Sequence, residues 1–472
     1  MASSTLDPEI LAAHGELSLA SRHFVEAIDR HPDWLRPIDY HAEGAGIVPS
    51  WMKDYDYPIQ SWPTLIDAAT VRELGAAAVG VSRLVKQAPT RVLGHDPEAL
   101  ARFYGGYESR MRLAIMLQPP NGIETAVGRC DLVRTADGFR CLEANLSARI
   151  GGWEQRFLEP VCGRNPRFAG FFAEESLTPR FRDPLRELFR SATENALRAG
   201  LVNEGAFHYS FLIAPEEAGW MAQAAPHFAR VFEAVRSEVA PGLEGSVGFG
   251  VCPVDYEIRE SKVFRKGGPR IHAIYEFIHS LDVGEIYGVF KSGNVQMYNG
   301  PATSLLCDKR NLALLSENAS SGLFDDRERR IIESYVPWTR LLVERAVEYR
   351  GTSSGLRALL LAEPGRFVLK KARSAEGTDV VVGRFASEDR WRAALDHAFA
   401  DGSWIVQEYA EPRPYLYQDG ESGCAIHSAV WGAFCFGNSY GGGWLRLAPR
   451  QTTGDGVINR ARGAVEGILY EV

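Results

Sequence analysis

The sequence predicts a mixed α/β (α+β) chain, and three observations carry that reading. Strand and helix patterns alternate between 183 and 298. A period-two alternation of polar and apolar residues runs through 127–146, and apolar strands at 367–371 and 404–407 flank a capped helix.

Taken in order, residues 1–95 mix short helical patterns with Pro- and Trp-rich loops, such as Pro49-Ser-Trp-Met and Ser61-Trp-Pro, and carry no assignable chemistry. Positions 95–118 read as helix, with Leu100, Phe103, Tyr104 and Tyr107 at helical spacing. A hairpin follows around Ala136-Asp-Gly. Asp183 caps the next helix, Pro184 takes its first position and Gly200 ends it, with Leu185, Leu188, Phe189, Ala192 and Ala196 as the apolar stripe. Strands at 207–213, 246–251, 271–278 and 294–298, with a helix at 219–239, suggest a small Rossmann-like layer. The charged stretch 325–350 reads as helix. Paired strands are expected at 367–371 and 380–383, and a Ser387-capped helix bearing Trp391, Ala394, Leu395, Ala398 and Phe399 stops near Gly402. The last fifty residues read as glycine-rich strands and loops.

Composition narrows the class. A chain of 472 residues, 45% hydrophobic and 24% charged, can bury a large core without staples. A net charge of -8 argues against a general nucleic-acid or membrane-surface binder, yet leaves room for a local basic pocket. Seven scattered cysteines with no CxxC spacing suit a reducing cytoplasm. The N-terminus lacks a basic n-region and an apolar h-region, and no run approaches a membrane span, so a cytoplasmic protein is expected. Oligomeric state stays open.

The segment 128–146 is the most informative. With a three-residue turn at 136–138 and Gly138 in the left-handed position, Asp131 faces Glu143 and Arg129 faces Asn145. All four then share one face, and Cys130, Leu132, Leu142 and Ala144 share the other. A two-residue turn would break this arrangement by setting Asp131 opposite Ala144. Two carboxylates and an amide oxygen make a hard-oxygen site suited to Mg²⁺, and Arg129 beside them suits a phosphoryl oxygen. Further on, Gly365-Arg-Phe-Val-Leu-Lys-Lys ends an apolar strand with Lys370 and Lys371, either of which can meet phosphates, under a loop at 372–378. Gln407, Glu408 and Tyr409 end the next strand and suit an adenine hinge. Arg446 follows Gly441-Gly-Gly-Trp-Leu, a flexible stretch, and suits the charge on a transferring phosphoryl group, with Asn459 nearby.

In this order the motifs resemble the circularly permuted ATP-grasp superfamily, which includes glutathionylspermidine synthetase-like amide ligases. Arg129-Cys-Asp131, Glu143-Ala-Asn145, Ile405-Val-Gln-Glu408, Gly442-Gly-Trp-Leu-Arg446 and Val457-Ile-Asn459 carry the resemblance from about residue 100 to 472. Val336-Pro-Trp-Thr-Arg340 is similar to the family's entry to the nucleotide lobe, which implies a phosphate contact for Arg340. The family's proline after the lysine is Lys371 here, and the following loop has only Gly377. The resemblance implies a metal-bearing ATP-grasp lobe at 96–180, a Rossmann-like substrate layer at 181–320 and a nucleotide lobe with catalytic strands at 321–472. It also implies ATP and Mg²⁺ as cofactors, Asp131, Glu143 and Asn145 as metal ligands, and Arg129 and Arg446 as catalytic groups. Small-molecule carboxylate and amine substrates would be joined through an acyl phosphate. Alternatives are a small-molecule kinase, an ATP-binding protein without catalysis, and an α/β hydrolase built on Gly351-Thr-Ser-Ser-Gly355, which needs a strand-to-helix turn at Ser353. His272, Glu276 and Lys291 lie around the Rossmann-like strands as candidate acceptor contacts or ordinary strand-end groups.

Overall fold

The computed structural model describes residues 6–105, 115–118, 123–202, 204–277, 283–374, 377–450 and 454–472. Helix and strand mix throughout, as an α+β chain requires. Three sheets organise the molecule.

The largest is antiparallel and six-stranded. Its backbone order runs Val465–Gly467, Ser439–Pro449, Gly423–Phe436, Val127–Thr135, Gly138–Asn145, with Tyr415–Asp419 paired to the start of the long central strand. The hairpin foreseen for the lobe at 96–180 is therefore the edge of a sheet whose other strands come from the segment at 321–472. Strands of those two segments thus share one sheet. Behind the sheet lies the 26-residue helix Ala68–Leu93, capped by Asp67, which accepts from the Thr70 amide at 2.8 Å. Leu74, Ala77, Ala78, Val81, Leu84, Val85 and Ala88 recur at helical spacing and bury against the sheet. Cys130 reaches the Ala78 carbonyl at 3.5 Å, which fixes the face carrying Cys130 and Leu132 as the core face. The first strand, Thr64–Ile66, runs parallel to Leu469–Glu471 and ties both ends of the chain together.

The second sheet is all-parallel, in the order Gln296–Tyr298, Ala273–Glu276, Ala206–Ile213, Glu244–Val251. The helix Ala218–Val239 makes the crossover between its two longest strands, and Pro184–Arg198 packs beside it. Asp183 caps the latter by accepting from the Leu185 amide at 3.0 Å.

The third sheet, Thr339–Leu341, Trp404–Glu408, Phe367–Lys371 and Val380–Val382, is antiparallel. Helices Leu356–Ala362 and Glu388–Asp401 back it, with a separate core around Leu356, Leu360, Leu369, Trp391, Leu395 and Val406. The stretch 325–350 is helical only over Asp326–Tyr335, where Asp325 and Glu328 form a capping box. Pro337 stops it, and Ala346–Tyr349 pairs with Thr352–Gly355, burying Val347 and Tyr349 on alternate positions. Charge masked that period-two pattern. The helix read at 95–118 is described at Pro97–Tyr104; Tyr107 lies outside the described residues. Among the described residues no helix is long and apolar enough to cross a membrane.

Candidate functional site

The hairpin reaches its functional register by a different route from the one expected. Its turn has two residues, with Thr135 opposite Gly138. That pairing alone would have set Asp131 against Leu142. A bulge between Asp131 and Leu132 absorbs one residue at Leu142, so Asp131 meets Glu143 and Arg129 meets Asn145 after all. Leu142 leaves the core face and turns its carbonyl toward the third sheet, where Lys370 Nζ donates to it at 2.8 Å.

On the open face of the large sheet, Arg129 and Asp131 form a two-bond pair, Nε to Oδ1 at 2.7 Å and Nη2 to Oδ2 at 3.2 Å. Arg446 reaches Asp131 Oδ2 at 2.7 Å from two strands away, and the Asn145 amide donates to the same oxygen at 3.2 Å. Burial alone would raise the Asp131 carboxyl. The two guanidinium groups outweigh it and hold the carboxyl down at about 2. Gly432 makes room for this: a Cβ there would lie 2.7 Å from Arg129 Cδ. The Arg129 side chain can therefore cross its neighbouring strand and lie over the Trp444 ring, 4.7 Å from the centroid. The glycines at 441–443, read as a flexible stretch, sit within the strand Ser439–Pro449. Cβ atoms at Gly441, Gly442 and Gly443 would collide with Phe436, the Arg182 backbone and Leu469, so close packing and not flexibility explains them.

The third sheet supplies the opposite wall. Strand parity puts Lys370, Gln407 and Thr339 on the face toward the hairpin. Lys370 Nζ donates to Gln407 Oε1 at 2.7 Å, and Gln407 Nε2 in turn reaches the Cys141 carbonyl at 3.3 Å. Burial pulls the Lys370 ammonium down to about 8. Lys371 points away and pairs with Asp401 at 3.4 Å, so of the two lysines only Lys370 enters the site. Lys309, which the sequence patterns did not reveal, completes the floor. Its Nζ pairs with Glu143 Oε1 at 2.9 Å and donates to the Ser374 carbonyl at 2.7 Å, linking the hairpin to the loop after the lysine strand.

Two expected contacts go elsewhere. Arg340 lies on the far face of the third sheet, opposite Val406; it stacks on Trp338 at 4.4 Å and bonds Ser316 Oγ at 2.9 Å. The same parity turns the Glu408 carboxylate to the Tyr349 hydroxyl at 2.7 Å and Arg350 at 2.8 Å, although the residue still borders the slot. The Glu408 and Tyr409 amides are also committed, to the Trp338 and Arg366 carbonyls. Tyr409 and Ala410 still line the slot. Ser353 stands mid-strand opposite Glu348 and not at a strand-to-helix turn, which removes the geometry a hydrolase elbow needs. His272 and Glu276 are buried in the parallel sheet, and neither they nor Lys291 line the cavities of the site. Burial lifts the Glu276 carboxyl to about 8 and pulls the His272 ring down to about 4.

Between the walls lie two joined cavities. A narrow one of about 140 Å³ is lined by Val133, Leu142, Val368, Val382, Val430 and Ile458, together with Lys370 and Lys309. A wider one of about 730 Å³ carries Arg129, Arg149, Arg373, Arg446 and Arg460 against Asp131 and Glu143. Asp131, Glu143, Gly377, Arg446 and Asn459 border both. In a chain of net charge -8, this local excess of cations suits an anion. Arg446 is 5% exposed, lines both cavities, and its buried Nε lacks a hydrogen-bond partner among the described residues.

Among the described residues no three His, Cys, Asp or Glu side chains gather to hold a metal unaided. Asp131 is neutralised by two arginines, while Glu143 Oε2 and Asn145 Oδ1 have no hydrogen bond among the described residues. Such a set fits a hard cation that keeps few protein ligands and takes the rest from phosphate and water, as Mg²⁺ does. All seven cysteines are free thiols. No protein-family model matches the chain, and no curated protein matches it.

Proposed function

We propose that the chain is an ATP-dependent carboxylate–amine ligase with a circularly permuted ATP-grasp arrangement, as the motif order implies. The observation that carries this reading is Lys370: a buried ammonium with only neutral acceptors, lining an apolar slot that shares Asp131, Glu143 and Arg446 with an arginine-rich chamber. A flat apolar base and a polyphosphate are the two halves of a ligand matching that junction. Adenine would lie in the narrow slot against Leu142, Val368 and Ile458, and Lys370 and Lys309 would meet the phosphates.

The wide chamber would receive the carboxylate. Arg129 and Arg446 would orient it toward the terminal phosphate and hold the acyl phosphate formed when ADP leaves. The same two groups would then stabilise the tetrahedral intermediate as an amine displaces phosphate. Glu143, Asn145 and Asp131 are the residues that would hold Mg²⁺, whose chemistry is to neutralise phosphate charge during transfer. Catalysis by this chain would then be positioning and electrostatics.

The test is to follow ADP and phosphate release with ATP, Mg²⁺ and a panel of carboxylates and amines, with Arg446→Ala and Glu143→Gln beside the wild type. ADP and phosphate that need both substrates, with turnover falling about 10²–10³-fold in Arg446→Ala, support the ligase. Products of AMP and pyrophosphate would overturn the acyl-phosphate route. ADP without free phosphate would indicate a kinase. ATP binding with no turnover across the panel would favour a binder without catalysis.

A further inference from the structure

We infer that the wide chamber selects a dianionic acid, in which one carboxylate meets Arg129 and Arg446 and a second is gripped by Arg460. This rests on the ligase reading for the role of the first carboxylate. The grip on the second stands on its own geometry.

Arg460 is built into the wall. Its Nε pairs with Glu466 Oε1 at 2.8 Å, and Glu466 is fully buried and also receives the Tyr55 hydroxyl at 2.7 Å. The guanidinium plane lies 3.5 Å from the centroid of the Tyr57 ring and 5.6 Å from that of Trp444. A guanidinium ion-paired to a buried carboxylate and stacked on a ring has lost part of its side-chain freedom, so the entropy cost of binding an anion is reduced. Neither Nη atom has a hydrogen-bond partner among the described residues, and the residue lines the chamber. A surface arginine would satisfy those donors with water; this one holds them in a fixed fork that matches a carboxylate.

Gly151 sets the distance between the two anion sites. It adopts φ +60°, and a Cβ there would lie 3.5 Å from Arg460 Nη1 and 4.0 Å from Arg129 Nη1. The two guanidinium groups thus flank one small space that any side chain at 151 would fill. A short chain carrying a carboxylate at each end spans that space, and a monocarboxylate leaves one fork empty. Arg149, paired with Glu217 at 3.0 Å, and Arg373, paired with Asp308 at 3.1 Å, add further positive field to the chamber.

The experiment compares succinate, glutarate and adipate with butyrate by calorimetric titration of the intact protein, with and without a saturating non-hydrolysable ATP analogue and Mg²⁺. The best diacid should bind at least about ten-fold tighter than butyrate, since a charge-assisted fork is gained. Its monomethyl ester should fall back to the butyrate level. In Arg460→Met the diacid preference should shrink to within about two-fold, while the analogue binds as in the wild type. Gly151→Ala, which leaves the Arg460–Glu466 pair in place, should lose the same preference. Diacids no tighter than butyrate in the wild-type protein would overturn the proposal with no variant needed, as would a preference that survives both substitutions. Failure of the ATP analogue to bind would instead overturn the nucleotide reading, because the diacid comparison is also run without it.

Discussion

Replacing Lys370 by Met separates two quantities that a buried cation couples. Its Nζ has two neutral acceptors, the Leu142 carbonyl at 2.8 Å and Gln407 Oε1 at 2.7 Å, and no carboxylate at ion-pair distance among the described residues. Burial lowers its pKa from 10.5 to about 8, which corresponds to roughly 3 kcal/mol against the charged form. Because the folded value is depressed, the unfolded chain holds this proton up to pH 10.5 and the folded chain releases it near 8. The penalty is therefore fully present below about pH 8, and stability contributed by this group rises with pH between about 8 and 10.5. At pH 7 Lys370→Met removes the penalty but leaves two acceptors without a donor, at about 1–3 kcal/mol each, so the net change in stability should be small. Nucleotide binding should change far more. Loss of a charge-assisted phosphate contact worth about 1.5–3 kcal/mol weakens an ATP analogue by roughly 10- to 150-fold. Calorimetric titration at pH 7 measures the effect on binding, and urea unfolding at pH 7 and 10.5 the effect on stability. An analogue Kd within two-fold of wild type would refute the assignment of Lys370 to phosphate. A wild-type stability difference between the two pH values that persists in the variant would refute its depressed pKa.

Other changes test the remaining parts. Asp131→Asn leaves Arg129 and Arg446 buried without their counter-charge and should cost roughly 3–5 kcal/mol by urea unfolding. Since Asp131 is held at about 2 against an ordinary 3.8, its share of stability is present above pH 3.8 and lost as pH falls through 2. The wild type should therefore show an acid-unfolding slope that the Asn variant lacks. Gly432→Ala puts a Cβ 2.7 Å from Arg129 Cδ and should displace that side chain from Asp131. ATP turnover should drop at least ten-fold, with far-ultraviolet circular dichroism unchanged. Arg340→Ala should leave the Kd for an ATP analogue within two-fold, because the side chain lies on the far face of its sheet; a large loss would contradict that placement.

Periodicity made much of this architecture legible. The pairing of Asp131 with Glu143 followed from alternation between two fixed strands, although the turn and the bulge that produce it could not be separated in one dimension. Capped helices such as Pro184–Arg198 were readable because Asp, Pro and Gly each act through local backbone geometry. Face parity was not readable at Arg340 and Glu408, since a short strand shows its alternation but not which side meets the cavity. Lys309 and Arg460 sit at turns with no periodic neighbourhood, and only the fold brings them to Glu143 and Glu466. The long helix Ala68–Leu93 was hidden by its alanines, whose apolar stripe is weak on any hydropathy pattern.

The large sheet joins strands at 127–145 to strands at 415–467, with the hairpin at one edge and the latest-made strands beyond the centre. During synthesis, then, the hairpin emerges long before the strand that carries Arg446. Its outer partner, Gly423–Phe436, is also absent until most of the chain has left the ribosome, so an unpaired strand edge waits through that interval. Such distant pairing makes for a slow folder that gains its charge cluster only in a late step. Chains released short of residue 446 would carry the helices and the parallel layer but an open, aggregation-prone sheet. Quality control acting on this protein would be expected to recognise that exposed edge.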